Sequence, residues 1–106
     1  MPGRVRTRRQ FAQFARPHSR GRSGPLRVSV VAGGDGVNVA YAINRKVGSA
    51  VVRNRLRRRL RAVFDEMSTR PHEGFYLVRC DNQAKELTYD ELRFHLIEAL
   101  RRAGVF

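Results

Sequence analysis

The chain has 106 residues, the length of one domain, and 42% of them are apolar, enough for one modest core. Its 22 Lys and Arg face only 9 Asp and Glu, a formal charge of +13, and Lys46 and Lys85 are the only lysines. One cysteine, Cys80, excludes an internal disulfide; no apolar run approaches the ~20 residues that span a bilayer; and the basic first ten residues lead into no apolar segment of the kind a secretory signal needs. The expected setting is therefore the cytoplasm, and the expected partner is acidic. The excess charge is unevenly placed. Residues 1–61 carry 16 basic side chains and one acid, Asp35, whereas residues 62–106 carry 6 basic and 8 acidic ones. The partner should be held by the first part of the chain, with the rest as scaffold.

Residues 1–6 read as a loose basic arm ahead of one domain over residues 7–106. Thr7 and Gln10 have capping-box spacing, which predicts a short helix carrying Phe11, Phe14 and Ala15 on one face and ending before Pro17. Residues 17–25, rich in Ser, Gly and Arg, read as a connecting loop. Residues 26–31 and 37–43 alternate as strands do, and Gly33, Gly34 and Gly36 between them supply the positive-φ positions of a hairpin. That glycine cluster precedes no Lys-Ser/Thr pair and no helix, so it is not a phosphate loop. A long helix over residues 49–67 follows, with Ser49 as N-cap, then a strand over 75–80. The last helix is marked by a capping box, Thr88 with Glu91, and a hydrophobic staple, Leu87 with Leu92; Leu92, Leu96, Ala99, Leu100 and Ala103 form its apolar stripe. The order α-β-β-α-β-α predicts one α+β domain, a small mixed sheet packed with three helices.

Residues 52–61 read V-R-N-R-L-R-R-R-L-R. At ~100° per residue, Val52, Leu56, Leu60, Val63, Phe64 and Met67 fall within an arc of ~120° that faces the core. The remaining arc holds Asn54 and six arginines, 53, 55, 57, 58, 59 and 61. Only Asp65 stands within reach, of Arg61 at i−4. A solvated helix face ordinarily mixes both signs, as the last helix does. A one-signed arginine face costs the free protein repulsion and suits a partner that releases counterions on binding, so nucleic acid is favoured over a solvated face. A membrane surface is disfavoured because Trp is absent and the sheet needs the apolar stripe.

Residues 45–61, R-K-V-G-S-A-V-V-R-N-R-L-R-R-R-L-R, resemble the RNR signature of the protein subunit of bacterial ribonuclease P. The likeness extends to the short Phe-bearing helix, the hairpin before the signature, the strand after it and the closing helix. The resemblance implies that the catalyst is an RNA, which uses Mg²⁺ to hydrolyse the phosphodiester at the mature 5′ end within precursor tRNA. The protein would grip that RNA through its RNR region and hold the 5′ leader of the substrate in a cleft across the sheet. It would supply no catalytic group, bind no metal ion alone, and engage neither DNA nor membrane. The family also joins its parallel strands through the RNR helix by a left-handed crossover, against the general rule. Matched by position, Lys46, Arg53, Asn54, Arg55, Arg57, Arg58 and Arg61 are the implied RNA contacts, while Arg59 stands where relatives often have an aliphatic residue. Asn54 suits its place because an amide both donates and accepts among arginines. Phe11 matches the family's first cleft aromatic, able to stack on single-stranded bases. The family spaces its second ring four residues on, where this chain has Ala15. Either Phe14 serves through a local shift, or the cleft has lost one ring, or both rings are core.

An enzyme acting without RNA is the rival of another class. His18, His72 and His95 are scattered and no zinc-type spacing occurs. Asp65 and Glu66 diverge by ~100° on a helix, so they do not converge on one ion. His95 and Cys80 read as structural. A ribosomal protein or general RNA chaperone is the third reading, separated from the first by the ordered signature and not by charge.

Overall fold

The structure, a computed structural model, describes residues 3–5 and 8–106. Its centre is strand β5 (Gly74–Cys80), whose apolar run Phe75–Val78 suits burial on both faces. It pairs antiparallel with β3 (Leu26–Ala32) and parallel with β4 (Val37–Ile43). The hairpin expected from residues 26–43 is therefore not formed: β3 and β4 run in opposite directions, but β5 lies between them, and Gly74 registers with both Ala32 and Val37. Two strand spacings are only ~10 Å, which a loop of this length crosses easily. Gly33, Gly34 and Gly36 do take positive φ, at 115°, 74° and 74°, and carry the loop over the inserted strand.

The sheet is larger than expected, with order β1-β4-β5-β3-β2. Strand β2 (Ser19–Ser23), read as loop because Ser, Arg and Gly disguise its alternation, pairs antiparallel with β3 through a tight Gly24-Pro25 turn. Its Gly21 is there for closeness. A Cβ at that position would stand 1.9 Å from the Ala99 carbonyl oxygen. Strand β1 (Gly3–Arg4), expected as loose arm, pairs parallel with Asn38 and Val39 of β4. The first helix is also shorter than predicted: α1 covers Arg8–Ala12, and a 3₁₀ turn, Gln13–Ala15, follows. The predicted Thr7 cap lies outside the described residues. So the expected three-helix count reduces to two full helices and one short turn, since five residues without packing on both sides cannot propagate a helix.

The full helices are α2 (Ala50–Glu66), whose N-cap Ser49 accepts the Val52 N–H at 3.3 Å, and α3 (Tyr89–Arg102), with the Thr88–Glu91 capping box in place. Both pack on one sheet face. Leu56, Leu60, Val63 and Phe64 of α2 meet Leu92, Leu96, Ala99 and Leu100 of α3 over Val28, Val39, Tyr76 and Val78. Among the described residues the other face carries only a small cluster, Val5, Phe14, Val31, Ala40 and Leu77, under the N-terminal segment. That asymmetry leaves most of one face of a five-stranded sheet without a covering helix.

Candidate nucleic-acid interface

Strand β4 delivers the chain to α2 through a 3₁₀ turn, Arg45–Val47, held by the Asn44 side chain, which accepts the Lys46 N–H at 3.0 Å. Buried Val47 pins this turn, so exposed Arg45 and Lys46 stand at the foot of α2. Leu56 and Leu60 lock the helix by its apolar stripe, which fixes where the arginines point. Asn54, Arg55 and Arg58 are exposed; Arg53, Arg57, Arg59 and Arg61 are half-buried.

None of these arginines forms an ion pair among the described residues. The carboxylates that pair do so elsewhere, Asp81 with Arg22 and Arg27, and Glu98 with Arg101 and Arg102. Asp65 does not pair with Arg61. Arg61 instead lies over the Tyr41 ring, its guanidinium carbon 6.0 Å from the centroid. Asn54 behaves as its amide predicts, accepting from Arg57 Nη1 at 2.9 Å. Two donors here are buried without a protein partner, Arg53 Nε and the Tyr41 hydroxyl. Burial pushes the Tyr41 phenol up to about 12 against the opposing pull of Arg61, so it stays a neutral donor.

Val51, Asn54, Arg57, Arg58 and Arg61 line an open cleft of about 510 Å³ along the outer face of α2. A second groove, about 170 Å³, runs over the β1–β4 edge between Arg4, Phe11, Tyr41, Arg57 and Arg61. Arg57 and Arg61 belong to both. Phe11 is 47% exposed in this groove, whereas Phe14 is 6% exposed and packed in the small cluster. The two rings are not on one face: Phe14 is core, and exposed Ala15 stands where a second ring would be needed. Tyr41 and Arg4 were missed from the sequence. Tyr41 looked like one more alternating strand residue, and only its position before the arginine helix hinted at more.

Several other titratable groups have structural partners or are buried. His95 Nδ1 is hydrogen-bonded to the Ser23 hydroxyl at 2.8 Å, and His18 Nδ1 accepts the Ala32 N–H at 3.0 Å. Glu66 accepts the Tyr89 hydroxyl at 2.8 Å. Cys80 is buried, its thiol pushed up to about 12, chiefly by burial. Among the described residues no group of three or more His, Cys, Asp or Glu side chains is placed to hold a metal ion. Nor is any helix long and apolar enough to cross a membrane.

These features define a small basic α+β domain that offers a polyanion a one-signed helix face continuous with an aromatic groove. The family model for ribonuclease P matches residues 2–104. The ribonuclease P protein component of Symbiobacterium thermophilum is 37% identical over 98 residues, 87% of this chain and 85% of that protein. That of Thermus scotoductus is 39% identical over 69 residues, 65% of this chain and 41% of its own. In structure, the Staphylococcus aureus ribonuclease P protein matches with a TM-score of 0.86 at 22% identity, covering 100% of this chain and 99% of its own. The Thermotoga maritima protein matches with a TM-score of 0.81 at 24% identity, over 93% and 96%. The chain belongs to the ribonuclease P protein family.

Proposed function

We infer that the chain works as the protein component of ribonuclease P, the endoribonuclease that removes the 5′ leader of precursor tRNA, and that it does so beside a catalytic RNA in the cytoplasm. The observation that carries the reading is the sharing of Arg57 and Arg61 between the α2 cleft and the Phe11 groove. A side chain at that corner touches two RNA elements at once, so binding one orders the site for the other. Lys46, Arg53, Asn54, Arg55 and Arg58 are assigned to the catalytic RNA, where guanidinium forks grip phosphates in two places and release counterions. Arg53 Nε and the Tyr41 hydroxyl, buried without protein partners, are satisfied by RNA acceptors or by water held against it. Phe11 stacks on a leader base, a contact indifferent to sequence because every base has a π-face. Phe14 is left to the core.

Mg²⁺, when bound, would activate water and stabilise the leaving oxygen in the hydrolysis. The ions are assigned to the RNA. The protein's part is to neutralise phosphates, which lowers the Mg²⁺ needed for the RNA to fold and hold its substrate.

Multiple-turnover cleavage of a precursor tRNA by bacterial ribonuclease P RNA at low millimolar Mg²⁺ tests the reading. The protein should restore cleavage at the mature 5′ end near one per RNA, and neither the protein alone nor a scrambled basic peptide should do so. Equal rescue by the peptide would make the charge generic and the protein an RNA chaperone.

A further inference from the structure

We propose that Lys46 is a modification site, at which an acyl phosphate acylates the side-chain amine, removes one cation from the RNA interface and weakens the grip on the catalytic RNA. Lys46 and Lys85 are the only lysines among 22 cations. An arginine guanidinium does not give up its charge and is no nucleophile in neutral water, whereas a lysine amine accepts acyl groups. Among the side chains assigned to that RNA, Lys46 alone carries an amine. A surface built almost wholly of a side chain that cannot be acylated thus contains one that can.

The backbone presents that amine and holds it in place. The Asn44 side chain accepts the Lys46 N–H at 3.0 Å, the Asn44 carbonyl accepts the Val47 N–H at 3.0 Å, and the Arg45 carbonyl accepts the Gly48 N–H at 3.2 Å. Val47 is wholly buried and anchors the turn, while Lys46 before it is exposed. A Cβ at Gly48 would stand 2.8 Å from Val52 Cγ1, so the chain enters α2 without slack. The Lys46 amine has no hydrogen bond or ion pair among the described residues, and no internal partner competes with a donor for it.

Lys85 is the internal comparison. It too is exposed, on the 3₁₀ turn Asn82–Glu86 that packs against the Lys46 turn. Its neighbours in sequence include Asp81 and Glu86, whereas no acid stands between Asp35 and Asp65. No carboxylate pairs with Arg45 or Lys46 among the described residues. A doubly charged donor concentrates where cations dominate, so it reaches Lys46 more often. An acyl phosphate suits the place because its phosphoryl group is a small version of what the interface binds. In the reaction the Lys46 ammonium first gives one proton to water. The free amine then attacks the acyl carbon, and the bond from that carbon to the phosphoryl oxygen breaks. Inorganic phosphate leaves with the electron pair and takes the second amine proton, and a neutral amide remains.

The inference rests on the catalytic-RNA reading of α2 and its foot, and the test separates the two. The protein is treated with acetyl phosphate, alone and bound to ribonuclease P RNA, and acylation at each lysine is followed by peptide mass mapping. Binding of the treated protein to that RNA is then titrated with salt. Lys46 should be acylated at least about threefold faster than Lys85, and the RNA should protect Lys46 and not Lys85. Full acylation should weaken binding about fivefold at about 0.15 M salt and lower the slope of log K against log salt by about 0.9, the share of one phosphate contact. Lys85→Arg should respond to the donor as the unaltered protein does. Lys46→Arg, whatever its starting affinity, should not respond, which excludes damage elsewhere. Faster acylation of Lys85 than of Lys46 would overturn the inference, and so would an unchanged slope once Lys46 is fully acylated. Failure of the untreated protein to bind the RNA would remove the reading beneath the inference, and the inference with it.

Discussion

Replacing Arg53, Arg55 and Arg58 by Ala should move RNA binding and protein stability in opposite directions. The three side chains make no ion pair among the described residues. Their removal relieves four like-charge contacts at helical spacing: 53 with 57, 55 with 58, 55 with 59, and 58 with 61. At roughly 0.3 kcal/mol each these sum to about 1 kcal/mol, and Ala is at least as good a helix former as Arg. The lost Arg53 stem, half-buried beside an unpaired Nε, offsets part of this. The free protein should therefore melt a few degrees higher, since 1 kcal/mol corresponds to about 4–8 °C for a domain of this size. Binding to the catalytic RNA should weaken, and the slope of log K against log salt should fall by about 2–3 units, near 0.9 per lost phosphate contact on a duplex. Thermal melting followed by circular dichroism, with salt-titrated filter binding, reads both. An unchanged slope would place the RNA elsewhere. A drop in melting temperature would show that the arginine stems are structural and that the repulsion has been overestimated.

The two phenylalanines should separate cleanly. Phe11→Ala should weaken precursor tRNA by about 1–3 kcal/mol while sparing mature tRNA and stability; Phe14→Ala should cost about 3–5 kcal/mol in urea denaturation. Equal losses for precursor and mature tRNA would mean that Phe11 does not hold the leader. Gly21→Ala should destabilise by more than the roughly 1–3 kcal/mol of ordinary overpacking, because its methyl would meet the α3 backbone at Ala99 and not a movable side chain. Native Cys80 should resist iodoacetamide at pH 8.5 and react once unfolded. Its thiol rises from 9.0 to about 12, and Tyr41 and Tyr76 from 10.0 to about 12, all chiefly by burial. Because the folded-state values are raised, their contribution is complete below about pH 9 and is lost as pH climbs toward 12. Denaturant midpoints should fall across that window, and a flat profile would mean these groups titrate as if exposed.

Much of the scaffold was legible because it is written in local chemistry. Ser49 and Thr88 cap the helices they were expected to cap, and all five residues of the last stripe are buried. What failed was pairing. Nothing local to residues 26–43 says that a strand forty residues on will enter between them; that outcome depends on long-range pairing, which gives each hydrogen-bonding edge of β5 a partner strand. The short elements failed for a related reason. The Ser-Arg-Gly-Arg-Ser of β2 has loop composition, and its alternation has meaning only once Gly21 is seen under the Ala99 backbone. The six-arginine face was evident from helical geometry alone. The groove was not, since it needs Arg4, Phe11 and Tyr41 to converge from three separate elements on Arg57 and Arg61.

The same insertion of β5 explains why the charge sits where it does. With β5 in the middle, α2 leaves from β4 near one edge of the sheet, while α3 packs along β2 at the other, and both cover a single face. A chain of this length has too little apolar material to cover the second face, and its N-terminal segment supplies only a small cluster there. An uncovered face must be made of side chains that tolerate water. Asp, Glu, Lys and Arg would all do so, yet between β2 and β5 the outward positions are arginine four times over, with one acid between them. Solubility alone asks for mixed charge. A single sign, repeated on the open sheet and on the outer side of α2, and absent from α3, follows the surface that remains after the core is built. The acids that balance such charge elsewhere in the chain are spent on α3, where Glu98 holds Arg101 and Arg102. Asp81 likewise holds Arg22 and Arg27, which leaves Arg20, Arg79 and the arginines of α2 without an ion pair among the described residues.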